Sequence, residues 1–88
     1  MIQNPTKKIG LVYKKLSSLI EVLRKATIVD DSFNEQLNNA FIFRSLLVET
    51  IENLSAYEEA DLREIATESE DEFRTLLYNI RKLVKKEI

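Results

Sequence analysis

Phe33–Leu54, FNEQLNNAFIFRSLLVETIENL, is the stretch whose reading decides the fold. Ala40, Phe41, Ile42, Phe43, Leu46, Leu47, Val48 and Ile51 spread apolar side chains around more than half of a helix circumference, an arc too wide for one partner helix to cover. At ~1.5 Å per residue the stretch makes a rod of roughly 33 Å, and both its ends are too polar to cross a bilayer. It reads as the central helix of a small bundle, with neighbours on two sides.

On its N-terminal side, Thr27–Ser32 reads as a turn: Asp30 and Asp31 favour a break, and Ser32 with Glu35 has the S-x-x-E spacing of a capping box. Before it, Asn4 and Pro5 form a good helix opening, an asparagine cap followed by a proline that loses no needed N–H. Ile9, Val12, Leu16, Leu19, Leu23 and Ala26 then alternate steps of three and four, with Tyr13 and Ile20 widening the seam and Arg24 and Lys25 closing it as the helix dipole prefers. Gly10 costs ~1 kcal/mol relative to alanine inside a helix, which suits a fraying end or a close neighbour, and of these fraying is favoured. Arg44 interrupts the middle seam, and its head is expected to reach back to solvent.

On the C-terminal side, Ser55 and Glu58 repeat the S-x-x-E spacing, and no Gly or Pro follows to the end. Leu62, Ala66, Ser69, Phe73, Leu76, Ile80 and Leu83 keep heptad spacing, although the polar stretch at 66–70 allows either one long helix or two. One helix with a soft point there is preferred, because a break would leave a fragment of about ten residues, marginal without packing. The expected helices are 5–26, 33–54 and 56–86, and the expected buried residues are Leu16, Leu19, Leu23, Leu37, Leu47, Ile51, Phe73, Leu76 and Ile80. Two short turns make the fold an all-α, antiparallel up-down-up three-helix bundle with the third helix longest. Asp30, Asp31 and Glu35 should then lie near Arg24, Lys25 and the basic tail, and Glu58 and Glu59 near Lys7 and Lys8, as exposed pairs worth ~0–1 kcal/mol each.

The totals agree. Residues 1–88 make one domain, which also reads as a domain cut from a longer protein. One Gly and one Pro leave almost no turn punctuation for a β architecture. The chain has no Cys or His, which removes thiol and imidazole catalysis and structural zinc sites. A net charge of −2 is unlike a dedicated nucleic-acid binder. No signal peptide or membrane span is present, so the expected location is cytoplasmic, with no membrane insertion.

No catalytic motif, phosphate loop or glycine cluster appears, and the chain reads as a non-enzyme without metal or cofactor. The carboxylates Glu68, Glu70, Asp71 and Glu72 lack the glycine that bends a calcium loop and read as a solvated helix face. Lys7, Lys8, Lys14 and Lys15 form a basic stripe that could touch an anionic membrane or RNA, and plain solvated surface is favoured for it. Apolar residues in excess of one seam are more informative. Ile20, Val22, Phe33, Ile42, Phe43, Leu46, Leu62 and Ile65 fall on both flanks of their helices, so some of them should be partner surface.

The stretches NEQLNNAFIFRSLL and ESEDEFRTLLYNIRKL make the chain resemble a GAT domain, the three-helix ubiquitin-binding bundle of clathrin and endosomal sorting adaptors. Asp71, Phe73, Leu76, Leu77 and Ile80 occupy the positions of that family's pattern on the third helix. Phe73 replaces the usual Leu, Ile80 stands where Tyr is common, and Glu70 departs from a frequent Asn. The likeness covers residues 6–86. It implies an interaction module that binds the apolar patch of ubiquitin weakly, as a monomer, within a trafficking or endocytic adaptor held at the endosome or plasma membrane by other domains. Some members also bind small GTPases or other adaptors. One implied groove lies between helices 1 and 2 near Ile20, Arg24, Phe33 and Gln36. The other lies between helices 2 and 3 near Leu46, Thr50, Leu62, Ile65 and Ser69. The rival reading is a free-standing helical inhibitor, such as an antitoxin, a bacteriocin-immunity protein or a phage protein, that acts by binding a protein target.

Overall fold

The computed structural model describes residues 4–25 and 31–87, with side chains described through residue 83. Three helices, α1 (Pro5–Lys25), α2 (Asp31–Glu52) and α3 (Glu59–Glu87), form an all-α antiparallel bundle, with a single 3-10 turn at Leu54–Ala56 and no strand among the described residues. The third helix is the longest, at 29 residues against 21 and 22. The expected positions Ala26, the Thr27–Asp30 part of the turn, and the tail side chains Lys85 and Lys86 lie outside the described residues.

The first helix opens as its sequence predicts. Asn4 Oδ1 accepts the Thr6 N–H at 3.0 Å, the Asn4 carbonyl accepts the Lys8 N–H at 3.2 Å, and Pro5 stands at the first helical position. Ile9, Val12, Leu16, Ile20 and Leu23 are buried in unbroken helical succession. The space around Gly10 is open where a Cβ would project, yet Ile9 beside it is fully buried. The helix is thus formed through Gly10, and no neighbour lies close to it there.

The helix boundaries on either side of the second turn, and the start of α2, differ from expectation. α2 starts at Asp31, so Ser32 lies in its first turn rather than before it. It stops at Glu52 instead of running to Leu54 because Asn53 ends it: the Asn53 side-chain amide donates to the Glu49 carbonyl at 2.8 Å, and its N–H donates to the Thr50 carbonyl at 3.2 Å. The chain then makes the 3-10 turn, passes through extended Tyr57, and begins α3 at Glu59, with the Glu58 carbonyl accepting the Leu62 N–H. Ser55 thus sits inside the 3-10 turn and does not open the last helix. α3 itself is continuous through 66–70, where Thr67 Oγ1 donates to the Arg63 carbonyl at 3.1 Å. Ala66 and Ser69 are buried, so the polar-looking stretch places its small side chains beneath the neighbouring helices.

The central role belongs to α1, a correction to the reading of α2 as the hub. α1 packs closely against both other helices, whereas α2 and α3 meet less closely. Ile9, Leu16 and Ile20 of α1 are the largest fully buried side chains, while Ile42 and Leu46 of α2 are 53% and 57% exposed. The apolar arc of α2 is covered by α1 on one flank and left open on the other. Among the residues expected in the core, Leu16, Leu23, Leu47, Leu76 and Ile80 are buried, and Leu19, Leu37, Ile51 and Phe73 are half-buried against them. Arg44 is half-buried with its guanidinium 5.4 Å from the Phe41 ring centre, a cation–π contact on the edge of the core.

The end charges also pair differently. Lys8 meets Glu70 at 3.4 Å, and Glu59 pairs with Arg63 of its own helix at 3.0 Å. The cause is axial offset: the 8–15 segment of α1 lies beside the 70–77 segment of α3. The first turns of α3 therefore extend about 12 Å beyond the start of α1.

Candidate functional site

The open flank of α2 faces α3 across a groove of about 530 Å³. Among the described residues only α2 and α3 line it, between Gln36 and Thr50 on one side and Ile65 and Asn79 on the other, so it opens away from α1. At ~1.5 Å per residue it runs roughly 21 Å, about four turns of each helix. Leu47 and Leu76 form its buried floor, with Phe43 and Ile65 half-buried above them. Ile42 and Leu46, one helical turn apart, form an exposed apolar wall.

The polar groups of the groove are arranged around that apolar strip. Thr50 is buried but satisfied, its hydroxyl donating to the Leu46 carbonyl at 3.0 Å. Gln36, Asn39, Thr75 and Asn79 supply neutral rim groups. Glu68 and Glu72 supply charge, and among the described residues neither has a cation within 4 Å. Like charges four apart on a helix cost it ~0.2–0.5 kcal/mol, so this pair does nothing for the stability of α3. The groove can seat an apolar surface patch and favours one bordered by basic groups.

The carboxylate run is divided by helical geometry. Glu68 and Glu72 turn toward α2, while Glu70 is engaged by Lys8 and by Arg74 at 3.8 Å, and Asp71 lies 3.7 Å from Arg74. Among the described residues no group of three or more acidic side chains could hold a metal ion. A smaller cleft of about 420 Å³ lies between α1 and α3, where Val12, Phe73 and Leu77 sit beneath Lys8, Lys15 and Arg74.

The structure brings together five of the nine positions singled out in the sequence: Gln36, Leu46, Thr50, Ile65 and Ser69 all line the α2–α3 groove. Gln36 had been assigned to the other groove, and its place beside Asn39 and Phe43 puts it on the α3 side of α2. Ile20 and Phe33, at 0% and 3% exposure, belong to the core and offer a partner nothing. Leu62 is buried at 9%, and Arg24 is exposed on α1. Sequence reasoning left Asn39, Glu68, Glu72, Thr75 and Asn79 out of the site. The three- and four-residue spacing that links Glu68, Glu72, Thr75 and Asn79 was their signal, but it marks a face without saying what lies opposite.

Among the described residues no helix is long and apolar enough to cross a membrane. No protein-family model, curated protein or solved structure matches the chain.

Proposed function

We propose that this chain is a non-catalytic protein-interaction module that docks the apolar patch of a small partner protein in the α2–α3 groove, and that the partner is ubiquitin. The observation that carries the docking reading is the unpartnered Ile42–Leu46 wall above a preformed apolar floor. Exposed apolar side chains grouped in a concave site mark interaction surfaces more reliably than single exposed leucines do. The resemblance to GAT domains supplies ubiquitin as the partner and a trafficking adaptor as the setting.

A groove of this length suits a transient encounter. It would bury less than ~1,200 Å² in total, and a dissociation constant of order 10⁻⁴ M corresponds to only ~5.5 kcal/mol. The test is a titration of labelled protein with ubiquitin, followed by amide signals. The expected result is fast-exchange shifts grouped around Ile42, Leu46 and Ile65, abolished by Leu46→Asp. That substitution places a charge on the exposed wall and spares the core, unlike changes at Phe33 or Leu62. If saturating ubiquitin moves none of these signals, ubiquitin is not the partner.

A further inference from the structure

The side of the bundle opposite the groove has the contrary charge. α1 carries six basic residues and a single acid, Glu21, whereas α2 carries four acids and a single base, Arg44. Lys7, Leu11, Lys14, Ser18, Val22 and Lys25 follow one another at steps of three and four, on the face turned away from the buried Ile9–Leu23 row. All six are exposed, Leu11 at 45% and Val22 at 66%. Lys15 borders the stripe on the α3 side. The stripe is therefore a basic ridge, roughly 27 Å long, with Val22 standing between its polar residues and Leu11 at its border with the α1–α3 cleft.

We propose that this face of α1 docks on an anionic phospholipid bilayer, with the α2–α3 groove turned outward. A ridge cannot enclose a peptide, but a flat surface can lie along its whole length. Its lysines meet lipid phosphates and carboxylates while Leu11 and Val22 reach toward the acyl boundary. Single-stranded nucleic acid would need aromatic stacking platforms, and the stripe contains none; Tyr13 of the same helix is half-buried outside it.

The net charge of −2 does not oppose this docking. The bundle measures 44 × 24 × 16 Å, so the acids of the far side stand roughly two Debye lengths from a bilayer under α1, at ~8 Å screening in physiological salt. The membrane therefore feels the near face, where the exposed Glu21, three residues after Ser18 and four before Lys25, offsets one of the lysine charges. Each lysine close to such a surface is worth about fivefold in affinity.

The test is co-sedimentation of the whole 88-residue chain with vesicles of phosphatidylcholine alone and of phosphatidylcholine with 30% phosphatidylserine. The chain should pellet with the serine-containing vesicles only, and 0.5 M NaCl should release it. Lys14→Gln with Lys15→Gln should weaken binding about 25-fold, and Leu11→Ser should weaken it further. All three positions are exposed, and an unchanged circular dichroism spectrum verifies the fold. Leu46→Asp in the groove should leave vesicle binding intact. Failure to pellet in 0.1 M salt, undiminished binding of the double lysine variant, or tighter binding to a uridine oligonucleotide than to the vesicles would each overturn the proposal.

Discussion

Leu46 and Leu47 are neighbours in one helix and identical in chemistry, and the bundle treats them oppositely. Leu47 is 2% exposed and forms part of the groove floor, whereas Leu46 is 57% exposed on its wall. Leu47→Ala removes a buried isopropyl group and leaves a cavity, which costs ~2–5 kcal/mol. For Leu46→Ala, about two-fifths of the side chain is out of water, so the same truncation costs ~1 kcal/mol at most, partly offset by the better helix propensity of alanine. An 88-residue domain has a stability on the order of 4–13 kcal/mol, so the first change takes a large share of it and the second does not. At ~4–8 °C per kcal/mol, Leu47→Ala should lower the Tm by at least about 8 °C, and Leu46→Ala by at most about 4–8 °C. Urea denaturation followed by circular dichroism measures both, with an unchanged slope verifying that the unfolded states are comparable. Equal losses for the two variants would mean that the α2–α3 groove is closed in solution and that the site does not exist as described.

Gly10→Ala should stabilise the chain by ~0.5–1 kcal/mol in the same measurement, because the helix is formed there and the added methyl meets open space; no gain would show that the first turns of α1 fray after all. Asn4→Ala should cost ~1 kcal/mol through loss of the cap on the Thr6 N–H, while Asn4→Gly should cost only a few tenths; equal costs would place the helix start elsewhere. Among the described residues Ser17 Oγ is buried without a hydrogen-bond partner, so Ser17→Ala should be neutral or stabilising, and a loss above ~1 kcal/mol would reveal a bond that the geometry does not show. Calcium or a chelator should leave the Tm unmoved, since Glu70 and Asp71 are engaged by Lys8 and Arg74 on one face while Glu68 and Glu72 point to another; a shift of several degrees on adding calcium would contradict this.

What the sequence by itself determined is the local pattern. Apolar residues at steps of three and four commit the backbone to helix wherever they recur, so the seams Ile9–Leu23 and Leu62–Leu83 were legible without any knowledge of neighbours. The Asn4–Pro5 opening was equally legible, because a cap acts within one turn. The Ser55–Glu58 capping box misled for the same local reason: the spacing is right, but Asn53 ends α2 earlier and the 3-10 turn takes up Ser55.

Only the tertiary structure decided which apolar flank is core and which is surface. Ile20 and Phe33 look no different in sequence from Ile42 and Leu46, yet the first pair is buried and the second exposed. The difference is set by where α1 lies across α2 and how far α3 stands from it. Periodicity reports the width of an apolar arc, whereas burial depends on interhelical distance and axial offset, which arise from packing the whole set of side chains at once. The same dependence separated Glu68 and Glu72 from Glu70 and Asp71, four adjacent acids that the helix turns toward two different neighbours.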